Sequence, residues 1–459
     1  MLFQHSRQSL SVELNATLND YLLKFCWDNA RWETLGLACV AVSRAATDVS
    51  TIGQFYKSER ERRELQRNSM DLADLCLDMA LSLDCLNDLQ LMLQYETFIL
   101  HTLVDGDQSY QSWRRLGDVA SSLFALGYHQ QMERPPSVPE FLSKLRRSAF
   151  ALAYAADKNV SIFLGRPPRI SKKFCRLKLL PDPNASEAPW WNQDKTFDFM
   201  LDIQWTALCA SLKEDVLALF EADESGVRHS DASAIQGTAE AQWLSLPLEF
   251  RLEGPLRFCN QPPVIRDFMV SARLNHLHVL FLLRLALSHH KPQSDVDLVR
   301  VSAEILNLIV EALLQKDQLV NSGTSLTWKV AYYGLSAAGV ICMWLLQQPF
   351  SPQVPELNIS KISQKLSVIV AEIETGTLVR SNDPNYKLLE SASQTISCLL
   401  DRLFLEKAPR QIDYEVNAEF HAPLLGHIEQ DGWNAWESNV LQDFESDFWT
   451  NLAEHPSLH

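Results

Sequence analysis

Apolar residues recur at intervals of three and four along nearly the whole chain, and segments that alternate apolar and polar are hard to find. That periodicity predicts helices rather than strands, so the expected fold class is all-α. One clear stripe is Leu145, Ala149, Leu152, Ala156, Val160 and Phe163, with Arg146, Arg147, Asp157 and Lys158 largely outside it. Ser294 and Asp297 read as a capping box opening a helix that carries Val301, Ile305, Leu308 and Ala312. Val330 to Leu346 is 17 residues without a charge, the lower limit for a membrane span. Its two tyrosines and its small residues Gly334, Ala337, Ala338 and Gly339 favour a buried core helix, and no membrane association is expected. The other apolar run, Leu277 to Leu287, is interrupted by Arg284.

Proline and polar clusters predict breaks at Glu133–Pro139, Arg166–Pro168, Leu180–Pro189, Glu221–Glu240 and Gln348–Pro355. Of these, Glu221–Glu240 is the best candidate for a flexible surface loop. A last composition shift near Ala408–Gln411 predicts two parts: a helical body over 1–407 and a tail over 408–459.

Charge sharpens that division. The net charge is −16, and residues 411–459 hold ten acidic side chains with no Lys or Arg, so −10 of it lies in the tail. An acidic chain repels a phosphate backbone, and no sequence-specific DNA binding is expected of it. Within the tail, Glu437, Asp443, Glu445 and Asp447 alternate with large apolar residues, the composition of amphipathic segments that stay disordered until they bind. Trp433, Trp436, Leu441, Phe444, Phe448, Trp449 and Leu452 are the candidate contacts to a coactivator. The competing reading is a terminal helix docked on the body.

Catalytic and cofactor signatures are missing from the sequence. Nine cysteines are scattered with no Cys-x2-Cys pair, as free thiols of a reducing compartment would be, and no metal or other cofactor is expected. His276 and His278, two apart on a helix, point away from each other, while His289–His290 reads as a helix end. No phosphate-binding loop or dinucleotide fingerprint occurs, and Asp295/Asp297 reads as a capping pair. Two basic clusters, Arg60–Arg63 with Arg67 and Lys172–Lys178 with Arg176, read as solvated faces; the second is the better place for an anion contact.

Several motifs in collinear order resemble the middle homology region of fungal zinc-cluster transcription factors. They begin with Arg31-Trp-Glu-Thr-Leu-Gly36 and Tyr95 to Trp113, continuing into Arg114-Arg-Leu-Gly-Asp-Val-Ala120 and Phe124-Ala-Leu-Gly-Tyr-His129. Next come Phe141 to Phe150, Ala153-Tyr-Ala-Ala-Asp-Lys158, Phe163-Leu-Gly-Arg-Pro-Pro-Arg-Ile170 and Leu180-Pro-Asp182. Leu277 to Leu287, Tyr333 to Val340, Leu366 to Glu374, Asn385-Tyr386 and Leu399 to Leu403 complete a resemblance that covers about residues 10 to 407. It implies a nuclear regulator of RNA polymerase II genes, with secondary metabolism as a setting. Implied partners are the coactivator machinery, a homologous zinc-cluster factor or a small-molecule effector.

The chain departs from that family's pattern by starting at Met1 close to the helical region, with no zinc cluster or basic linker ahead of it. The expectation is a regulatory and activating part without its own DNA-binding cluster, either naturally so or with its upstream coding segment missing. The alternative is a co-regulator that pairs with full-length relatives, and an enzyme is the least supported class. In either regulatory reading, Gly165 to Pro168 is expected to end a helix rather than to hold a ligand.

Overall fold

The computed structural model describes residues 1–47, 56–130, 138–176, 197–220, 225–288, 295–320, 325–346 and 357–407. Among them there is no strand, and the fold is all-α. They fall into two compact units. The first comprises Met1–Ser161, Pro167–Glu214 and Asp383–Asn385, and the second holds Ile162–Arg166, Asp215–Asn382 and Tyr386 onward.

The first unit begins with α1 (Leu2–Ser6), α2 (Leu18–Leu23), α3 (Trp32–Thr47) and α4 (Glu59–Leu81). It continues with α5 (Asp88–Val104), α6 (Tyr110–Ala125), most of α7 (Glu140–Leu164) and most of α8 (Phe199–Phe220). Short polar side chains start these helices by accepting orphan backbone N–H groups: Thr17 in a capping box with Asp20, Ser58 from Glu61, Asn87 from Gln90 and Ser109 from Gln111. The core gathers Leu91, Phe98, Leu116, Val119, Leu123, Phe150, Tyr154 and Ile170. A second cluster holds Val40, Met70, Leu77, Leu93 and Leu100 between α3, α4 and α5.

Glycine is required at two points of this unit. At Gly36 an added Cβ would lie 2.6 Å from Leu93 Cδ2 and 3.1 Å from Cys76 Cβ, so the side chains of α4 and α5 fill the space a larger residue would need. At Gly106, φ is +100° and a Cβ would meet that of Pro384 at 3.1 Å.

The second unit contains α9 (Ser225–Ser245), α10 (Pro263–Ser288), α11 (Val296–Leu314), α12 (Leu326–Leu346), α13 (Ile359–Glu374) and α14 (Tyr386–Lys407). In its core, α11 buries Leu298, Ile305, Leu306, Ile309 and Leu313, and α12 buries Val330, Leu335, Ala338, Ile341 and Leu345. Gly334 lets α12 approach α11, with Ile309 Cγ2 at 3.5 Å from where a Cβ would sit. By length and composition α10 and α12 could cross a membrane; in this fold most of each is buried within the protein.

Three expectations need correction. Residues 225–245 are a helix and not a loop, because Ala232, Ile235, Ala239 and Trp243 form a buried stripe that outweighs the low propensity of Gly237. The cap of α11 is Asp295, whose carboxylate accepts from Asp297 N at 2.9 Å. On α7, Leu145, Ala149, Leu152, Ala156 and Val160 are only half-buried, whereas Asp157 and Lys158 are 1% and 0% exposed. Charge pairing, described next, makes that burial tolerable. The thiols differ in setting: Cys76, Cys209 and Cys342 are buried, Cys26 and Cys398 are exposed, and all nine are free.

Candidate functional site

The densest polar chemistry of the first unit lies where α7 ends. The helix stops at Leu164, and Gly165 takes φ +60°, as a glycine ahead of two prolines permits. The returning strip is then caught by α7 itself. Asp157 accepts from Arg169 N at 3.0 Å and from Ile170 N at 2.9 Å, and its Oδ2 is 2.9 Å from Lys158 Nζ. The same ammonium donates to Ile170 O, lies 4.5 Å from the Tyr154 ring centroid and reaches Glu214 Oε2 of α8 at 3.4 Å.

Glu214 in turn accepts from Tyr154 Oη at 2.7 Å, Ser171 Oγ at 3.0 Å and Lys172 N at 2.9 Å. Burial alone would raise its carboxyl, but the Lys158 charge and these donors outweigh that and hold it below the usual range. On the outer side, the Arg169 guanidinium stacks on Trp113 at 3.9 Å to the ring centroid. It lies over Gly117, where an added Cβ would come within 3.2 Å of its Nε. Trp113 and Gly117, four apart on α6, thus form the slot that Arg169 occupies. The donors and acceptors of this clasp are spent on backbone and on one another, which gives it a fold-holding role.

The other resembling motifs have similar roles. Glu33 is bonded by Arg31, Asn87 Nδ2 at 2.8 Å and Ser6 Oγ at 2.7 Å. Burial opposes its ionisation, and those donors hold the carboxyl low nonetheless. In the Leu-Gly-Tyr-His motif, Gly127 turns at φ +72° and Tyr128 Oη donates to Asp88, whose carboxylate Arg146 grips at 2.7 and 2.8 Å. The Asp105-Gly-Asp turn meets residues from far along the chain: Asn385 Nδ2 donates to Asp107 at 2.7 Å, and Arg63 pairs with Asp383 at 3.2 Å. Desolvation pushes the Asp107 carboxyl up to about 6 against that hydrogen bond.

The first basic cluster is largely committed to ion pairs: Arg60 to Glu64, Arg62 and Arg63 to Glu59, and Arg67 to Asp105. Arg62 is itself buried and also donates to Ala46 O. In the second, Lys172 reaches Ser211 O at 3.2 Å, and Lys178 lies outside the described residues.

Two arrangements invite a catalytic reading. His101 has a carboxylate at each ring nitrogen, Asp105 at 2.6 Å and Asp74 at 2.9 Å, and Arg115 grips Asp74 at 2.7 Å. The ring therefore bridges two acids and addresses no nucleophile. Lys213 of α8 is fully buried, donates to Asn159 Oδ1 at 3.0 Å, and is brought down to about 7 by burial. Burial also pushes Cys76 up to about 11 and Cys209 and Cys342 up to about 12, the opposite of what an activated thiol needs.

In the second unit, a π-helical turn at Val330–Gly334 sets Tyr332 and Tyr333 side by side in an aromatic cluster. Trp328 stacks on Tyr332 at 4.5 Å, and His278 meets both tyrosines edge-on at 4.8 and 5.0 Å. Beneath it, Lys329 pairs with Asp267 at 2.7 Å, both buried. His276 stacks on Trp243 instead, at 5.0 Å, so the two imidazoles do face different neighbours. Among the described residues no group of three or more His, Cys, Asp or Glu side chains is placed to hold a metal ion.

The predicted activation contacts Trp433, Trp436, Leu441, Phe444, Phe448, Trp449 and Leu452 lie outside the described residues, as do His289–His290 and Ser294. Among the described residues the fold is all-helical, and the clusters above spend their polar groups largely on one another and on backbone. No family profile, no curated protein and no solved structure matches the chain.

Proposed function

We propose that the chain is the regulatory and activating part of a fungal zinc-cluster type transcriptional regulator, a non-enzymatic nuclear protein that works through protein partners. One observation carries this reading: residues of the resembling motifs are also those that lock an all-α unit together. Glu33 and Gly36, Gly106, Trp113 and Gly117, Gly127 and Tyr128, and Asp157 and Lys158 each hold a turn or a helix contact. Raised thiol values and a histidine occupied by two acids give no support to a catalytic alternative.

The test tethers the whole chain to an unrelated DNA-binding domain upstream of a reporter in a fungal host. The proposal expects activation of at least tenfold, lost when Phe444, Phe448 and Trp449 are replaced by alanine. A tethered chain that is stable, nuclear and silent would refute the activating role, and equal activation by the triple variant would refute the tail's part in it.

A further inference from the structure

Helices α3 and α4 pack side by side and antiparallel, with Ser43 Oγ donating to Gln66 O at 2.7 Å and Arg62 donating to Ala46 O at 2.9 Å. Gly36 faces Cys76 at the other end of the contact. Their buried faces account for only part of their apolar residues. On α4, Leu65, Asn68, Leu72, Leu75 and Met79 follow a 3-4-3-4 spacing, and Leu72 and Leu75 are 52% and 48% exposed. On α3, Leu35, Ala38, Val42 and Ala45 follow the same spacing, with Leu35 and Val42 at 42% and 46%.

Such spacing is the a/d pattern of a coiled-coil seam, here repeated on two neighbouring helices that both turn it to solvent. The antiparallel register sets Leu35 near the level of Leu75 and Val42 near that of Asn68 and Leu72. The result is one apolar face along two helices, and contiguous faces of this kind mark interaction sites.

Charge indicates what covers it. Glu64, Asp71 and Asp78 are seven residues apart, all exposed, and form an acidic row along the outer edge of the α4 seam. Glu64 is paired with Arg60 at 2.8 Å; Asp71 and Asp78 have no ion-pair partner among the described residues. On the α3 side the rim carries Thr34 and Ala41, both uncharged, among the described residues. A second copy docking through α4 in antiparallel fashion would set this row against itself. The chain's own residues 411–459, with ten acids and no Lys or Arg, meet the same repulsion.

We infer that the α3/α4 face is a docking groove for an amphipathic helix of a partner protein, apolar along its a/d seam and lined with Lys or Arg on the flank that meets Glu64, Asp71 and Asp78. The seam from Leu65 to Met79 is about 21 Å long, which takes two heptads of the incoming helix. Like-charge exclusion gives the groove its selectivity, while the leucines supply most of the affinity. None of this depends on the transcriptional reading.

Fluorescence anisotropy with the full chain tests it. The probe is a labelled 28-residue helix with Leu at a and d, Lys at e and g, and Ala and Gln elsewhere. Comparators are the same helix with Glu at e and g, and a scrambled peptide of the first composition. The Lys-flanked helix should bind at least tenfold tighter than either.

The L72S/L75S variant keeps the net charge and should lose that binding at least tenfold, whereas D71K/D78K should reverse the preference toward the Glu-flanked helix. Since all four positions are exposed, unchanged circular dichroism is expected; if L72S/L75S misfolds, the charge reversal decides alone. Equal binding of the scrambled peptide, indifference to L72S/L75S, or no reversal in D71K/D78K would overturn the proposal. So would a dimer in sedimentation that L72S/L75S abolishes, or a synthetic 411–459 peptide that occupies the face.

Discussion

The two units bury charge to very different extents. The first encloses Arg31, Glu33, Arg62, Asp88, Asp157, Lys158 and Lys213, and the second, among its described residues, encloses Asp267 and Lys329. Much of the first unit's buried charge goes to holding turns, Asp157 the 169–170 strip and Asp88 the end of α6, and half-buried Glu214 holds the 171–172 strip. The second unit is packed instead with Ile, Leu and stacked rings. Apolar packing is non-directional, whereas a buried carboxylate fixes the residues that bond it, so the first unit trades tolerance of substitution for defined turn geometry.

The largest expected effect comes from breaking the clasp. Asp157→Ala leaves the buried Lys158 with only its longer contact to Glu214 and two backbone N–H groups without an acceptor, and should cost about 3–5 kcal/mol in urea denaturation. A loss under ~1 kcal/mol would show that the clasp is ornamental. The matched change in the second unit, Ile309→Ala, should cost about 2–5 kcal/mol by leaving a cavity, without altering the pH dependence of stability. A changed pH profile there would erase the contrast.

Lys213 sharpens the comparison with an opposite sign. Its folded value, about 7, lies below the ordinary lysine value of 10.5, so between those limits the unfolded chain binds more protons. Stability therefore rises with pH across that window, and the penalty is complete below about 7. Replacing Lys213 with Met should stabilise the protein at pH 7 by ~1–4 kcal/mol, with the gain fading toward pH 10.5. A variant that is less stable at pH 7 would mean that its hydrogen bonds outweigh desolvation. Smaller effects follow: Gly36→Ala should cost about 1–3 kcal/mol through the clash with Leu93, and Tyr128→Phe about 1–2 kcal/mol through its lost bond to Asp88. Both are read from melting temperature against the parent.

Part of this was legible in the sequence. Period 3.6 revealed the helices, the Gly165-Arg-Pro-Pro run marked the end of α7, and uncharged small residues marked α12 as a core helix. Charge burial was not legible. Asp157 and Lys158 read as the wet side of α7 because their partners, Ile170 and Glu214, lie 12 and 56 or more residues away and carry no periodic signal. The strap at Asp383–Asn385 is hidden for the same reason, with its contacts to Arg63 and Asp107 spanning 320 and 278 positions. In 225–245 the composition points to a loop, while Ala232, Ile235, Ala239 and Trp243 carry helical spacing and prevail. The α3/α4 face is hidden in the sequence because a heptad seam on an exposed surface reads, letter by letter, like a core stripe.

Hydrogen exchange followed by mass spectrometry between pH 7 and pH 3, corrected for intrinsic rates, tests the contrast most directly. Glu33 and Glu214 have folded values below the ordinary 4.5, so the stability they confer is present above that value and is lost as the pH falls through the lower folded one. The second unit has its own acid-sensitive group in His276, which burial brings down from 6.5 to about 3, so stability is lost there as the pH falls from 6.5 toward that value. Between pH 6.5 and 4.5, peptides around His276 on α10 should lose protection while those from α3, α7 and the 169–172 strip keep theirs, and below 4.5 the latter should lose theirs in turn. Loss in α3, α7 and the strip already above pH 4.5, or none in them below it, would contradict the account.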